Sequence, residues 1–220
     1  MEIEVTQSGV EAERRLPRRG ILAAGIGGAA LSLLPFLSGR ASASATTDST
    51  PEESSTTTTA PPRQPTDDDV TLLAYAQQLE LTAAGLYEQA INGVAGWSDV
   101  QAAVMTEMRE SHLAYGNTLS GLLGKSAPST RSEELFAEWK SQFAGSTDDV
   151  LKAAAQLESA AVATHLDVLA KLQGLNGAST VASIQVAEAR HCTALLDLAG
   201  STDLSELLVD TEADSLLGNA

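Results

Sequence analysis

The chain has 220 residues, 43% of them apolar, and a formal net charge of −16 at pH 7. That length and apolar content suffice for one domain with a sizeable core, while the acidic balance argues against nucleic acid and anionic membrane surfaces as partners. The single cysteine, Cys192, excludes an internal disulfide, so the core itself has to hold the fold.

Residues 1–45 read as an export signal. The stretch LPRRGIL carries Arg18 and Arg19, with Arg14 and Arg15 just upstream. An uncharged run from Gly20 to Gly39 follows, then Arg40 and the small residues ASASA, which offer cleavage after Ala43 or Ala45. Paired arginines before a Gly- and Ala-rich, mildly apolar centre resemble a twin-arginine signal, which implies an exported, extracytoplasmic protein folded before transport. An uncleaved membrane anchor is the other reading, because the run is nearly long enough to span a bilayer. Gly25, Gly27, Gly28 and Pro35 weaken that reading, and no cysteine is present in the segment to carry a lipid. Residues 46–69, rich in Ser, Thr, Pro and acid, have almost nothing to bury and read as a disordered linker.

From 70 to 200 the chain reads as all-helical, with Ala and Leu at helical spacing and Pro128 as its one proline. The pattern predicts an antiparallel four-helix bundle with helices over 70–92, 99–123, 148–173 and 179–199. Ser98 and Gln101 form a capping box at the start of the second. The long link between the second and third contains SEELFAEWKSQF, where Leu135, Phe136, Trp139 and Phe143 share an apolar edge. This predicts a short helix along the crossover. In the tail, 201–220, Leu204, Leu207 and Leu208 are expected to dock a last turn.

The bundle segment also repeats itself. AYAQQLELTAAGLY and AAAQLESAAVATH share Gln-Leu-Glu at an offset of 78 residues, and His112 and His191 are 79 apart. These offsets suggest a duplicated helical hairpin. Counted at alternating three-four spacing, the inner face of each helix holds polar residues where a bundle core would place Leu. They are Glu80 on the first helix, His112 on the second, Glu158 on the third, and Glu188 with His191 on the fourth. An unpaired buried carboxylate is costly, so something has to neutralise three of them. His165 shares the inner face of the third helix but is two turns from Glu158, too far to share one ion with it. Like Tyr87 at the matching place of the repeat, it reads as a core hydrogen-bonding group. Cys192 reads as a small packed side chain.

A Glu from each of two helices and a Glu-x-x-His from each of the other two is the carboxylate dimetal pattern of ferritin-like bundles. The order Glu80, His112, Glu158, Glu188 with His191, with a long crossover in the middle, resembles an exported bacterial ferritin-like domain. The resemblance implies one or two iron or manganese ions held by these acids and imidazoles, with ferrous iron, oxygen or peroxide chemistry. It does not identify a protein partner, and nothing in the sequence argues for iron storage. One position departs from the pattern: three residues before His112, where the family has Glu, this chain has Arg109. Its neighbour Glu110 is about 200° from His112 on a regular helix and turns inward only if the helix bulges. Two readings therefore stand. Either the site binds metal in a partly degenerate form, or Arg109 reaches Glu80, Glu158 or Glu188 and replaces the metal charge, leaving a metal-free structural or binding module of the cell envelope.

Overall fold

A computed structural model describes residues 60–218. The export signal and most of the linker lie outside the described residues. Five α-helices and no strand are present among the described residues: α1 (Asp67–Gly93), α2 (Asp99–Leu123), α3 (Glu133–Trp139), α4 (Thr147–Lys171) and α5 (Leu175–Leu198). None of them is long and apolar enough to cross a membrane.

Three of the four long helices begin with a reciprocal capping box. Thr66 with Asp69 starts α1, Ser98 with Gln101 starts α2 as the sequence predicts, and Ser146 with Asp149 starts α4. Asp67, Asp68 and Asp69 form the first turn of α1, where carboxylates complement the positive end of the helix. Asp69 is buried, and its side chain also accepts from the backbone N–H groups of Gln173 (2.8 Å) and Gly174 (2.9 Å). Burial works against its ionisation, but these backbone donors and Thr66 outweigh it and hold the carboxyl below its usual range. A single acid thereby ties the start of α1 to the turn between α4 and α5.

The last helix starts at Leu175, four residues earlier than the sequence pattern suggests. Its first free N–H groups, on Leu175 and Asn176, donate to the carbonyls of Pro62 and Arg63, both at 2.9 Å. Gly174 allows this approach, since a Cβ there would stand 2.6 Å from the Gln64 carbonyl oxygen. Residues 62–66, which read as linker from composition, are therefore docked. Composition misses this because the contact is made by backbone groups, which carry no sequence signature.

Helices α1 and α2 form one hairpin and α4 and α5 the other, joined by a crossover that carries α3 against α1. Leu135 and Phe143 are buried along that crossover, with Phe136 and Trp139 partly buried beside them. Two apolar clusters fill the bundle. One packs Ala83, Leu86 and Tyr87 against Met105, Met108 and the stretch from Val150 to Leu157. The other packs Leu73 and Ala76 against Tyr115, Leu119, Val168, Val181 and Ile184. Early residues of α1 thus lie level with late residues of α4, so these two helices run antiparallel. The polar inner-face residues fall between the clusters on every helix.

The tail departs from expectation. Leu204 and Leu208 are exposed, and Leu217 is buried instead. Side-chain hydroxyls on α4 set this choice: Asp210 N–H donates to Ser159 (3.2 Å) and Leu216 N–H to Thr164 (2.8 Å), while the Tyr75 hydroxyl donates to the Leu216 carbonyl.

Candidate metal centre

The five inner-face residues expected from spacing meet at the bundle axis. Glu80, His112, Glu158, Glu188 and His191 are all buried. His112 donates from Nδ1 to Glu80 Oε2 at 2.7 Å and from Nε2 to Glu158 Oε1 at 3.0 Å, so one ring spans the two hairpins. His191 donates from Nδ1 to Glu158 Oε2 at 3.3 Å. Among the described residues, two groups have donor atoms within 4.8 Å of one another and could hold a metal ion: His112, Glu158 and His191, and Glu80, His112 and Glu188.

Two further residues enter that spacing had assigned to ordinary core hydrogen bonding. The Tyr87 hydroxyl donates to Glu158 Oε1. His165 Nε2 lies 2.9 Å from Glu80 Oε1, and its Nδ1 is 3.9 Å from Glu188 Oε2. Each stands seven residues after a glutamate of its own helix, yet each reaches the glutamate of the opposite helix. Side chains on a helix lean toward its N-terminus, and α1 and α4 run antiparallel, so a residue two turns on leans back toward the partner's acid. The sequence signal was present in the inner-face count. What misled was measuring reach only along a single helix.

Arg109 does not enter the site. Its guanidinium pairs with Glu110 and, at 3.6 Å, with Glu88, on the outer seam between α1 and α2, with 27% of the side chain exposed. The expectation that it reaches Glu80, Glu158 or Glu188 is corrected. Position 109 sits about 60° from His112 around the helix, at the edge of the inner face, and a long side chain there turns outward to carboxylates that cost no desolvation. Helix α2 is regular throughout and Glu110 is exposed, so no bulge carries that acid inward.

The neighbouring imidazoles set the charge on these acids. Burial opposes ionisation of Glu80, but the His112 hydrogen bond and the close His112 and His165 rings outweigh it and bring the carboxyl down to about 2. Glu158 is likewise held well below the usual carboxylate range, with burial opposed by His112 and His191. Burial also works against the charge on His112 and His165. Glu158 and Glu80 raise His112 well above its ordinary value, and Glu188 and Glu80 raise His165 to about 9. Glu188 goes the other way: burial, only partly offset by His165 and reinforced by Glu80 and Glu158, pushes it up to about 8. These directions favour Glu80 and Glu158 as carboxylates beside charged His112 and His165, with Glu188 the acid that most resists ionisation.

That balance is incomplete in hydrogen bonds. Both oxygens of Glu188 and Oε1 of Glu80 are buried with no hydrogen-bond partner among the described residues. An unpartnered buried carboxyl costs stability, and a cation placed between such oxygens would satisfy them. Three carboxylates with imidazoles form a donor set suited to hard or intermediate divalent ions rather than to thiolate-preferring metals. Cys192 stays out of this chemistry, since burial pushes its thiol up to about 12 and its Sγ turns to Ser159. The residues present fit a metal ion. A family model described as a ferritin-like domain matches residues 68–201. Comparison with curated proteins and with solved structures finds no match.

Proposed function

We propose, from the premise that the chain belongs to the ferritin-like domain family, that it is an exported protein binding iron or manganese in the core of its bundle. The observation that carries this reading is Glu188, a fully buried carboxyl with neither oxygen hydrogen-bonded, set among two other acids and the imidazoles. Glu80, His112, Glu158, Glu188 and His191 are the residues that would hold one or two ions. A bound iron or manganese ion supplies a redox couple and a Lewis acid for chemistry with ferrous iron, oxygen or peroxide. The chain's own residues prepare the place. Tyr87 orients Glu158 by its hydroxyl, and the apolar clusters on either side keep bulk water from the acids. Anaerobic titration of the metal-free chain with Fe2+ or Mn2+ tests the reading. Binding of one or two ions per chain with a rise in melting temperature is expected, by linkage of binding to folding. A chain that takes up neither ion refutes it.

The protonic balance of the cluster supports a second reading, a metal-free binding or structural module of the envelope, in which His112 and His165 supply the neutralising charge. The same titration separates the two. Export rests on the paired arginines of the opening segment. Replacing Arg18 and Arg19 with Lys is expected to retain the precursor in the cytoplasm, because that pair is read by a receptor rather than as general positive charge. Unchanged secretion on fractionation points to the general pathway or to an anchor.

A further inference from the structure

The two candidate metal groups share one residue. His112 turns Nδ1 to Glu80 at 2.7 Å and Nε2 to Glu158 at 3.0 Å. A neutral imidazole has one lone pair, with an N–H on its other nitrogen, so this ring can serve one group and not both. Charge sets the same limit. Two divalent ions would bring four positive charges to a buried place that holds three carboxyls, Glu80, Glu158 and Glu188. Arg109 and Glu188 stand at matching places of the internal repeat, 188 − 109 = 79 residues apart. One hairpin keeps its acid there, and the other has a guanidinium that pairs outside the site. A single ion is matched by two carboxylates.

We propose that the centre takes one divalent ion, held by Glu80, His112 and Glu188, and that Glu158 and His191 are positioning residues rather than ligands. The inference rests on the metal-binding reading above. The hydrogen bonds already made decide between the two groups. Both oxygens of Glu158 are partnered: Oε1 accepts from the Tyr87 hydroxyl and from His112 Nε2, and Oε2 accepts from His191 Nδ1 at 3.3 Å. An ion among His112, Glu158 and His191 would displace two of these three bonds. It would also leave bare the oxygens that lack partners. Those are Glu80 Oε1 and both oxygens of Glu188, buried and without a hydrogen bond among the described residues, and they belong to the other group. An ion there displaces one hydrogen bond, between His112 Nδ1 and Glu80 Oε2.

The shared ring is prepared for this role. An N–H donated to a carboxylate fixes the orientation of an imidazole and raises the basicity of its other nitrogen, which is the usual support behind a metal-bound histidine. Glu158 supplies that carboxylate to His112 Nε2, which leaves Nδ1 on the side of Glu80. Glu158 is in turn fixed from two helices, by Tyr87 on α1 and by His191 on α5. The Tyr87 ring also stacks on His112, with centroids 5.4 Å apart.

The test counts tightly bound ions on the full chain by anaerobic titration with Mn2+ and with Fe2+, and reads ligand nitrogens on the Mn2+ form by pulsed electron paramagnetic resonance. One ion per chain with one coordinated nitrogen, from His112, is expected. Two tightly bound ions, or one ion with two nitrogens or with none, overturn the proposal and leave the metal-binding reading standing. A chain that takes up neither ion removes both together. Variants then assign the roles. Glu188→Gln is expected to weaken Mn2+ binding by about a hundredfold or more. Glu158→Gln, whose amide oxygen still accepts from His112, and His191→Gln are expected to weaken it by less than about tenfold and to keep the nitrogen coupling. Loss of the ion or of the coupling in a folded Glu158→Gln or His191→Gln, or parent-like affinity in Glu188→Gln, overturns the assignment. If these variants misfold, the ion count and the nitrogen count of the unmodified chain decide.

Discussion

Glu188→Gln isolates the cost of the unpartnered carboxyl in the metal-free protein. In the unfolded chain a glutamate ionises above about 4.5, whereas in the fold Glu188 keeps its proton until about 8. Over that window the folded state binds more protons than the unfolded one, so its stability falls as pH rises, by about 1.4 kcal/mol per unit for this single group. Below the unfolded value the contribution is fully present, and above about 8 nothing further is lost. Between pH 5 and 7.5 the parent should therefore lose roughly 3 kcal/mol through this residue. Gln has no such dependence, and its amide is left without partners as the protonated carboxyl is, so that cost of about 1–3 kcal/mol is common to both proteins. The two proteins are expected to be of similar stability at pH 5 and the variant the more stable by roughly 3 kcal/mol at pH 7.5, with the curves diverging as pH rises. Urea denaturation followed by circular dichroism in the presence of a chelator, at half-unit pH steps, measures this directly. Parallel curves would show that Glu188 ionises as readily in the fold as out of it, and would refute the argument that it stays protonated.

Metal uptake should be opposed by protons, because His112 and Glu188 must both release one to act as ligands. Mn2+ affinity is expected to rise steeply from pH 6 to 8, with proton release seen by calorimetry in buffers of different ionisation enthalpy. Arg109→Ala removes only exposed ion pairs, so stability should change by less than about 1 kcal/mol and Mn2+ affinity should not change; a large shift in affinity would return Arg109 to the site. Gly174→Ala places a Cβ 2.6 Å from the Gln64 carbonyl oxygen, a backbone atom with little room to move, and should cost roughly 2 kcal/mol in urea melts. Gly177→Ala meets only the Leu73 side chain at 3.2 Å and regains about 1 kcal/mol of helix propensity, so it should be near neutral.

The all-helical architecture, the capping box at Ser98, the crossover helix and the convergence of Glu80, His112, Glu158, Glu188 and His191 were legible from residue order alone. Each depends on spacing within one helix or on a local capping pair, and helical periodicity carries that information without knowledge of neighbours. The internal offset of 78 residues also located the equivalent positions Tyr87 and His165. Other features were decided by packing between elements. Arg109 turns out to the seam because Glu88, on a different helix, and Glu110 offer solvated partners there. His165 and Tyr87 join the site because α1 and α4 run antiparallel at a separation that lets each reach the other's glutamate. Residues 62–66 dock because the N–H groups at the start of α5 need acceptors, and Leu217 rather than Leu204 is covered because hydroxyls on α4 hold the tail's backbone. The sequence alone determined which residues face inward, since that follows from the helical period. Only the tertiary structure decided which inward groups touch, and in what state of charge, because those outcomes depend on the direction of a neighbouring helix and on burial shared among four of them.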